Sequence, residues 1–506
     1  MIIDAHTHRW VGDGPAGEAL FLDECRQSGV SVAIVSSLHG GAYHPTSDQV
    51  RAANDQAMEF ASRVGPSARW LAYINPQDVP WQSEVARCAA GGAVGVKLWV
   101  SLKDTRGSME NTLAVLRHAG ALRLPVLIHT FTRTGGNLPG ELTPLEFAAL
   151  AAEAPETVLI AAHAAMNYRL FIGALGNRPQ NAYVDISGGF PEYGAVEALV
   201  RDVGADHILF GSDATGRSVA SQLAKVVLAD ISEADKDLIL WRNAARVFGL
   251  HDLPEPVPPC LPNPSGLPDA RADHFCFCGR WPCFETPCAD PGQLDVALQD
   301  ADIERAFVGD LGSIYRSDLT EANARFLETA RDCRRVVPLA TLNPQAPNWQ
   351  RAMRSLPDQV TGAIVFPNLH QWRLDDPRYA AFFSECAARR LPLWVNCGLG
   401  DDRFRHEGFG RRPVSVEELK GFARAAPPNS YVFQGTGAVE TFLDEFPNDD
   451  RFRFDLSRLS DSGGQWRRVL ARHGAQRLVM GSEFPLRDLR AVRWVAQRMG
   501  ANRDLP

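Results

Sequence analysis

Alternation is what most constrains this chain. Between residues 1 and 250, eight short apolar runs take turns with longer helical patterns. The runs lie near 2–6, 30–36, 70–75, 93–99, 125–130, 157–162, 182–187 and 207–212. They are rich in Val, Ile, Leu and Ala, which suits parallel strands buried on both faces. Stretches such as GEALFLDECRQSG and ENTLAVLRHAGAL carry helical spacing between them. Thr143, Pro144 and Glu146 read as a helix start with a capping box. Eight strand–helix units in this length predict a TIM barrel.

The alternation breaks at 251–271, where seven prolines exclude a regular helix or a central strand. This segment reads as a linker. Residues 272–506 then repeat the first half in order. AVGVKLWVSL lies over VTGAIVFPNL and LPVLIHTFT over LPLWVNCGL, both at an offset of 267. YVDISG over RFDLSR and ILFGSD over LVMGSE share an offset of 270. Ser415 and Glu418 repeat the capping box. A solenoid repeats every ~20–50 residues, so this long period implies a duplicated domain and two tandem TIM (β/α)8-like barrels.

Composition narrows the partners. With 506 residues, 22% charged and 45% hydrophobic, the chain has the make-up of a globular protein of two domains. Its formal net charge of −8 argues against nucleic acid or an anionic membrane as main partner. No apolar run approaches the roughly 18 residues of a membrane span, and the N-terminus does not read as a signal peptide. Ten cysteines over this length do not make a disulfide scaffold, so a reducing cytoplasm is expected.

The first half carries the chemistry. TIM-barrel enzymes place reactive side chains at the C-terminal ends of strands. Five residues meet that requirement: His6 and His8 after strand one, His129 after strand five, His163 after strand six and Asp213 after strand eight. Strand alternation puts His6 and His8 on one face, the barrel interior. His-x-His alone is a weak motif, and a lone strand-end histidine is more often a core residue. Five in register point to a divalent cation, most simply Zn2+, with a second metal possible. Such a cation would lower the pKa of a water and make it a nucleophile. Asp213 is placed to take and return the proton, with His163 polarising a carbonyl or shuttling a proton.

DAHTH, PVLIHT, AAHAA, LFGSDA and the closing WRNAARVFGL resemble the amidohydrolase superfamily. They look most like its amidohydrolase-related branch, with aminocarboxymuconate-semialdehyde decarboxylase and pyrone-dicarboxylate lactonase. The resemblance spans residues 1–250. It implies that His6, His8, His129 and Asp213 hold the metal, and that His163 is a further ligand or the catalytic acid/base. The family contains hydrolases, lactonases, hydratases and non-oxidative decarboxylases, so the resemblance fixes machinery rather than substrate. Lys97 in GVKLWV has three readings: a carboxylated bridge between metals, a cation at the substrate site, or a structural ion pair. Arg9, Trp10, Arg133 and Arg217 are candidate substrate contacts, as are His39, Tyr43 and His44, because arginine binds carboxylates through bidentate pairs. A solvated loop is the bland reading of each.

In the second half, the alignment sets Cys276 and Cys278 over His6 and His8, Asn396 over His129, Ile364 over Lys97 and Glu483 over Asp213, with Thr436 near His163. The imidazoles are gone, so this copy is expected to be non-catalytic. Cys276, Cys278, Cys283 and Cys288 are dense enough for a structural zinc, though ordinary thiols are the simpler reading. The two barrels are expected to pack as an intramolecular pseudo-dimer, with further homo-oligomerisation open. The function expected is a metal-dependent hydrolase of an amide, ester or lactone in a small or peptide-derived substrate. Metal-dependent decarboxylation of a small carboxylated substrate is the alternative. A non-catalytic scaffold is the third, and it predicts no stoichiometric metal.

Overall fold

The computed structural model describes residues 1–9, 14–38, 45–77, 81–99, 108–166, 168–176, 179–259, 271–283, 285–409, 412–458 and 465–499. Trp10, His39, Tyr43 and His44 lie outside them, as do residues 260–270 of the proline-rich segment. The chain divides into two compact units whose main boundary follows Leu261. No helix among the described residues is long and apolar enough to cross a membrane.

The first unit holds eight strands in one parallel sheet, ordered as in the chain. They are β1 (Ile3–Arg9), β2 (Val32–Ser37), β3 (Ala68–Tyr73), β4 (Gly95–Leu98), β5 (Val126–Ile128), β6 (Leu159–Ala161), β7 (Ala182–Asp185) and β8 (Ile208–Leu209). Each falls within or overlaps an apolar run of the sequence. Their connections carry the helices α1 (Gly14–Ser28), α2 (Ser47–Val64), α3 (Trp81–Ala90), α4 (Ser108–Ala121), α5 (Pro144–Glu153), α6 (Tyr168–Leu175) and α7 (Ala195–Asp202), and α8 (Val219–Val227) follows β8. The capping box of Thr143 and Glu146 starts α5. The last and first strands meet where Ala5 N donates to Phe210 O (2.9 Å) and Asp213 N to His6 O (2.7 Å). A bridge joins Thr7 to Ala214. The sheet is thus a nearly closed TIM barrel.

Its floor is apolar. Ile3, Ile34, Leu71, Leu127, Ile160 and Leu209 form one buried cluster with Ala244, Phe248 and Leu250 from the closing helical segment. Each such side chain contributes about 1.5–3 kcal/mol on burial. Asn243 anchors that segment by donating to Ala205 O and Ile208 O, both at 2.7 Å. The opposite end of the strands is left to polar residues. The described part of the proline-rich segment, 251–259, has no helix or strand, and Val257 N donates to Ser31 Oγ (3.1 Å) within this unit.

The second unit contains two parallel sheets, not the single closed sheet expected of a second barrel. One has three strands, β9 (Ala272–Cys278), β10 (Arg305–Asp310) and β11 (Val336–Pro338). The other has six: β12 (Ala340–Thr341), β13 (Ala363–Val365), β14 (Leu393–Asn396), β15 (Tyr431–Gln434), β16 (Phe452–Asp455) and β17 (Leu478–Val479). The second capping box starts the helix Val416–Ala425 at Ser415, whose side chain accepts from Glu418 N.

Backbone bonds correct one part of the alignment. Asp4 accepts from the amides of His6 and Ser212; Asp273 accepts from those of Phe275 and Ser482. Asp213 N donates to His6 O, and Glu483 N to Phe275 O. The residues in the His6 and His8 positions are therefore Phe275 and Phe277, not Cys276 and Cys278. Both first strands shift register, between Asp4 and Thr7 and between Asp273 and Cys276. The match therefore runs one residue out of step with the offset of 270 read for the last strands. Phe275 and Phe277 pack with Phe307, Ile364, Trp394 and Val432. Cys276 and Cys278 do not face that interior. They pack on the other side with Leu294, Leu298 and Val336, as Cys288 does, whereas Cys283 borders the interior cluster. Burial raises the pKa of all four thiols, and among the described residues no cysteine joins a potential metal-binding group.

Candidate metal centre

Strand alternation delivers His6 and His8 side by side, with their Nε2 atoms 3.1 Å apart. Asp213, from the turn after β8, places Oδ1 3.4 Å from His8 Nε2 and 3.9 Å from His6 Nε2. These three side chains offer ligand atoms that all lie within 4.8 Å of one another. The positive φ of Asp213 (61°) turns its side chain into this position. A non-glycine residue adopts that conformation only where its surroundings impose it.

The outer nitrogens are engaged. Asp185 Oδ2 accepts from His6 Nδ1 at 2.8 Å, and Ser36 Oγ lies 2.9 Å from His8 Nδ1. Protons on the Nδ1 atoms leave both Nε2 lone pairs aimed at one point. Burial, against the pull of Asp213, lowers the His8 pKa to about 4. Burial opposes ionisation of Asp213, but the imidazoles around it hold its carboxyl well below the usual range. Two lone pairs and a carboxylate converging on one buried point need positive charge between them, and this donor set fits a divalent cation. Lys97 Nζ lies 3.0 Å from His6 Nε2 in the same centre, and burial lowers its pKa to about 8. Lys97 thus stands among the candidate ligands.

His129 and His163 lie beside this group in a hydrogen-bonded chain. His129 Nε2 donates to Glu141 Oε1 (3.0 Å), and its Nδ1 lies 3.1 Å from His163 Nε2. Ser187 Oγ lies 2.9 Å from His163 Nδ1 and 3.0 Å from His6 Nδ1. With the His6 Nδ1 proton on Asp185, one set of proton positions satisfies the rest of the chain: Ser187 donates to His163, His163 to His129 and His129 to Glu141. In that arrangement neither His129 nor His163 turns a lone pair to the point shared by His6, His8 and Asp213. His163 also forms a second potential metal-binding group with His6 and Asp185. Its φ of 69° shows the same forced backbone as Asp213.

The candidate substrate arginines divide. Arg133 makes a bidentate pair with Glu141 (2.7 and 3.0 Å), so an internal carboxylate already occupies its fork. Glu141 is held at about 2 by His129 and Arg133 against the effect of burial. Arg9 points away from the histidines, towards Glu18 at 3.3 Å and over the Phe60 ring at 5.5 Å. The odd position on β1 puts it on the helix side. Arg217 is partly buried in the turn after Asp213, where its N–H donates to Asp213 O (3.1 Å).

Asp185, Ser187, Glu141 and Ser36 escaped the sequence reading. Asp185 had a signal, a carboxylate ending an apolar strand in YVDISG. Its Oδ1 accepts from the amides of His163 and Ser187. Asp455 does the same for Gly435 and Ser457 in the second unit. The position matching His163 is thus Gly435, not Thr436. The residue there is glycine, which suits positive φ best, at φ 69°.

This donor set stands at the C-terminal mouth of the barrel, where TIM-barrel enzymes place their reactive side chains. Residues 3–250, just under half of the chain, match the amidohydrolase family model. No curated protein matches the chain. Solved structures similar to it include 2,6-dihydroxybenzoate decarboxylase complexed with 2,6-dihydroxybenzoate, at 18% identity over 49% of this chain and 99% of that one, TM-score 0.40. The 5-carboxyvanillate decarboxylase from Sphingomonas paucimobilis is 16% identical over 49% of this chain and 99% of that one, TM-score 0.40. The dihydroxybenzoic acid decarboxylase from Polaromonas sp. JS666, with bound manganese and 2-nitroresorcinol, is 19% identical over 49% of this chain and 97% of that one, TM-score 0.38.

Proposed function

We propose that the first unit is a metal-dependent hydrolase acting on an amide, ester or lactone in a small or peptide-derived substrate. One observation carries the reading: His6, His8 and Asp213 bring their donor atoms within 4.8 Å of one another. His6 and His8 would hold the cation, zinc in the first instance, with Asp213 completing the set. When bound, such an ion supplies Lewis acidity and makes water reactive near neutral pH. The chain's own groups do the rest. Asp213 accepts a proton at Oδ1, beside His8, and returns it to the leaving group. His163 lies next in the chain of hydrogen bonds and orients the substrate or moves a proton. The apolar barrel floor keeps bulk water from the centre.

Lys97 favours a second reading. An ammonium within 3.0 Å of His6 would hold a substrate carboxylate against the cation, which suits loss of carbon dioxide. Purified protein should contain stoichiometric divalent metal that His6→Ala with His8→Ala removes. Assay of amide, ester and lactone cleavage beside carbon dioxide release then separates the two reactions, and metal-free protein would reject both.

The second unit is read as a duplicated copy that has lost the centre. Glu483, in the Asp213 position, is met by Arg458 at 2.9 Å and Arg487 at 2.6 Å. Phe275, Phe277 and Ile364 fill the positions of His6, His8 and Lys97. The proposed role of this copy is support for the first, in an intramolecular pseudo-dimer that needs neither nucleic acid nor membrane, in the cytoplasm.

A further inference from the structure

Two side chains of α8 hold the segment that orients the histidines of the centre. Lys225 is buried, with 7% of its surface exposed. Its ammonium donates to Ile186 O at 2.7 Å and Gly188 O at 2.6 Å. Gln222, fully buried, donates from Nε2 to Gly189 O at 3.0 Å. These carbonyls flank Ser187, whose amide is bound by Asp185 Oδ1 at 2.8 Å and whose hydroxyl joins His6 to His163. The backbone around Ser187 is therefore gripped on both sides by one helix and from below by one carboxylate.

We infer that Lys225 and Gln222 are positioning residues of the metal centre, acting through the loop after β7 to fix Asp185 and Ser187 against His6 and His163. The inference rests on the reading of His6 as a metal ligand. A buried lysine that spends two of its hydrogen bonds on neutral carbonyls is costly for stability alone, and the second unit provides an internal control. It keeps the backbone clamps of Asp273 and Asp455. At the offset of 270 that relates β8 to β17, it has Val492 for Gln222 and Val495 for Lys225. Valine side chains cannot make this grip, and among the described residues the loop after β16 is held instead by Arg487, which donates to Ser457 O at 3.3 Å, whereas the clamps that serve only the backbone persist.

The test uses the full-length protein with Lys225→Met and Gln222→Leu variants. In metal-free, 15N-histidine-labelled samples, the His6 Nδ1 proton that bonds Asp185 should shift or broaden in Lys225→Met. Zinc affinity, from competition with a chelator, should fall roughly ten- to hundredfold, the usual effect of losing a group that orients a ligand. Gln222→Leu should move both readouts in the same sense by less. Should Lys225→Met fail to fold, Gln222→Leu decides, since it leaves every charge in place. Variants that lose thermal stability but keep the parent's His6 resonance and zinc affinity would overturn the inference. A parent that takes up no zinc would instead overturn the reading of the site, while the His6 resonance would still decide the positioning claim.

Discussion

His6 uses its two ring nitrogens differently. Nδ1 is committed to Asp185, so Nε2 is the atom left for a cation. The ring tautomer thus depends on a neighbour 179 residues away in sequence. Asp185→Asn should disturb that choice without emptying space. An Asn in that place keeps its oxygen on the amides of His163 and Ser187 and turns its NH2 towards His6. Nδ1 would then have to accept, moving the proton to Nε2. Zinc affinity should fall about ten- to hundredfold, read by chelator competition, with little change in the far-UV circular dichroism of the metal-free protein. An affinity within threefold of the parent would show that Asp185 does not set the tautomer. His6 and His8 were legible in the sequence because the strand period fixes which face a strand residue takes, and Asp213 because it follows the last apolar run. Asp185, Ser187 and Glu141 were not, because their roles depend on partners from other strands and loops.

At the scale of elements, the loop after β7 fits closely around the centre. Gly188 has φ of +80°, and a Cβ there would lie 2.8 Å from His163 Nδ1 and 3.0 Å from Met166 Sδ. Gly188→Ala therefore combines left-handed strain, about 1–2 kcal/mol, with displacement of His163. We expect a lower melting temperature and loss of the Ser187–His163 bond, seen as a changed His163 imidazole resonance. An unchanged resonance would mean that the loop yields instead of the ring. The second unit offers a pH test in β16. Burial raises Asp455 to about 6. A carboxyl raised in the folded state binds its proton more tightly there than in the unfolded chain, so its contribution is present at acid pH and lost as pH rises from about 4 to 6. At about 1.4 kcal/mol per unit, the loss reaches about 3 kcal/mol. Asp455→Asn should lose correspondingly less stability than the parent between pH 4.5 and 7 in urea denaturation; parallel curves would refute the assignment. Element order was readable throughout the first unit, since eight apolar runs separated by helical patterns leave little freedom. The register of β9 was not. β9 matches β1 at an offset of 269 where the last strands match at 270, and a one-residue difference exchanges the two faces of a strand.

For the whole molecule, the contrast between the two units becomes a statement about linkage. A ligand that binds the folded state of one unit raises only that unit's stability, by about 2.7 kcal/mol at a hundredfold excess over its dissociation constant. For a unit of some 250 residues this is roughly 5–10 °C. Zinc should therefore raise the melting of the first unit alone, because in the second an ion pair between Glu483 and Arg487 takes the place of a cation and two phenylalanines take that of the imidazoles. Calorimetry with and without a chelator should show one transition moving and the other fixed. His6→Ala with His8→Ala should abolish the shift and remove every bound ion from the chain. If the units melt together, the ion count still decides: metal retained in the double variant at parental affinity would place a site outside the first barrel. That result would overturn the account of the second unit, whose aromatic interior leaves no donor set where the first unit has one.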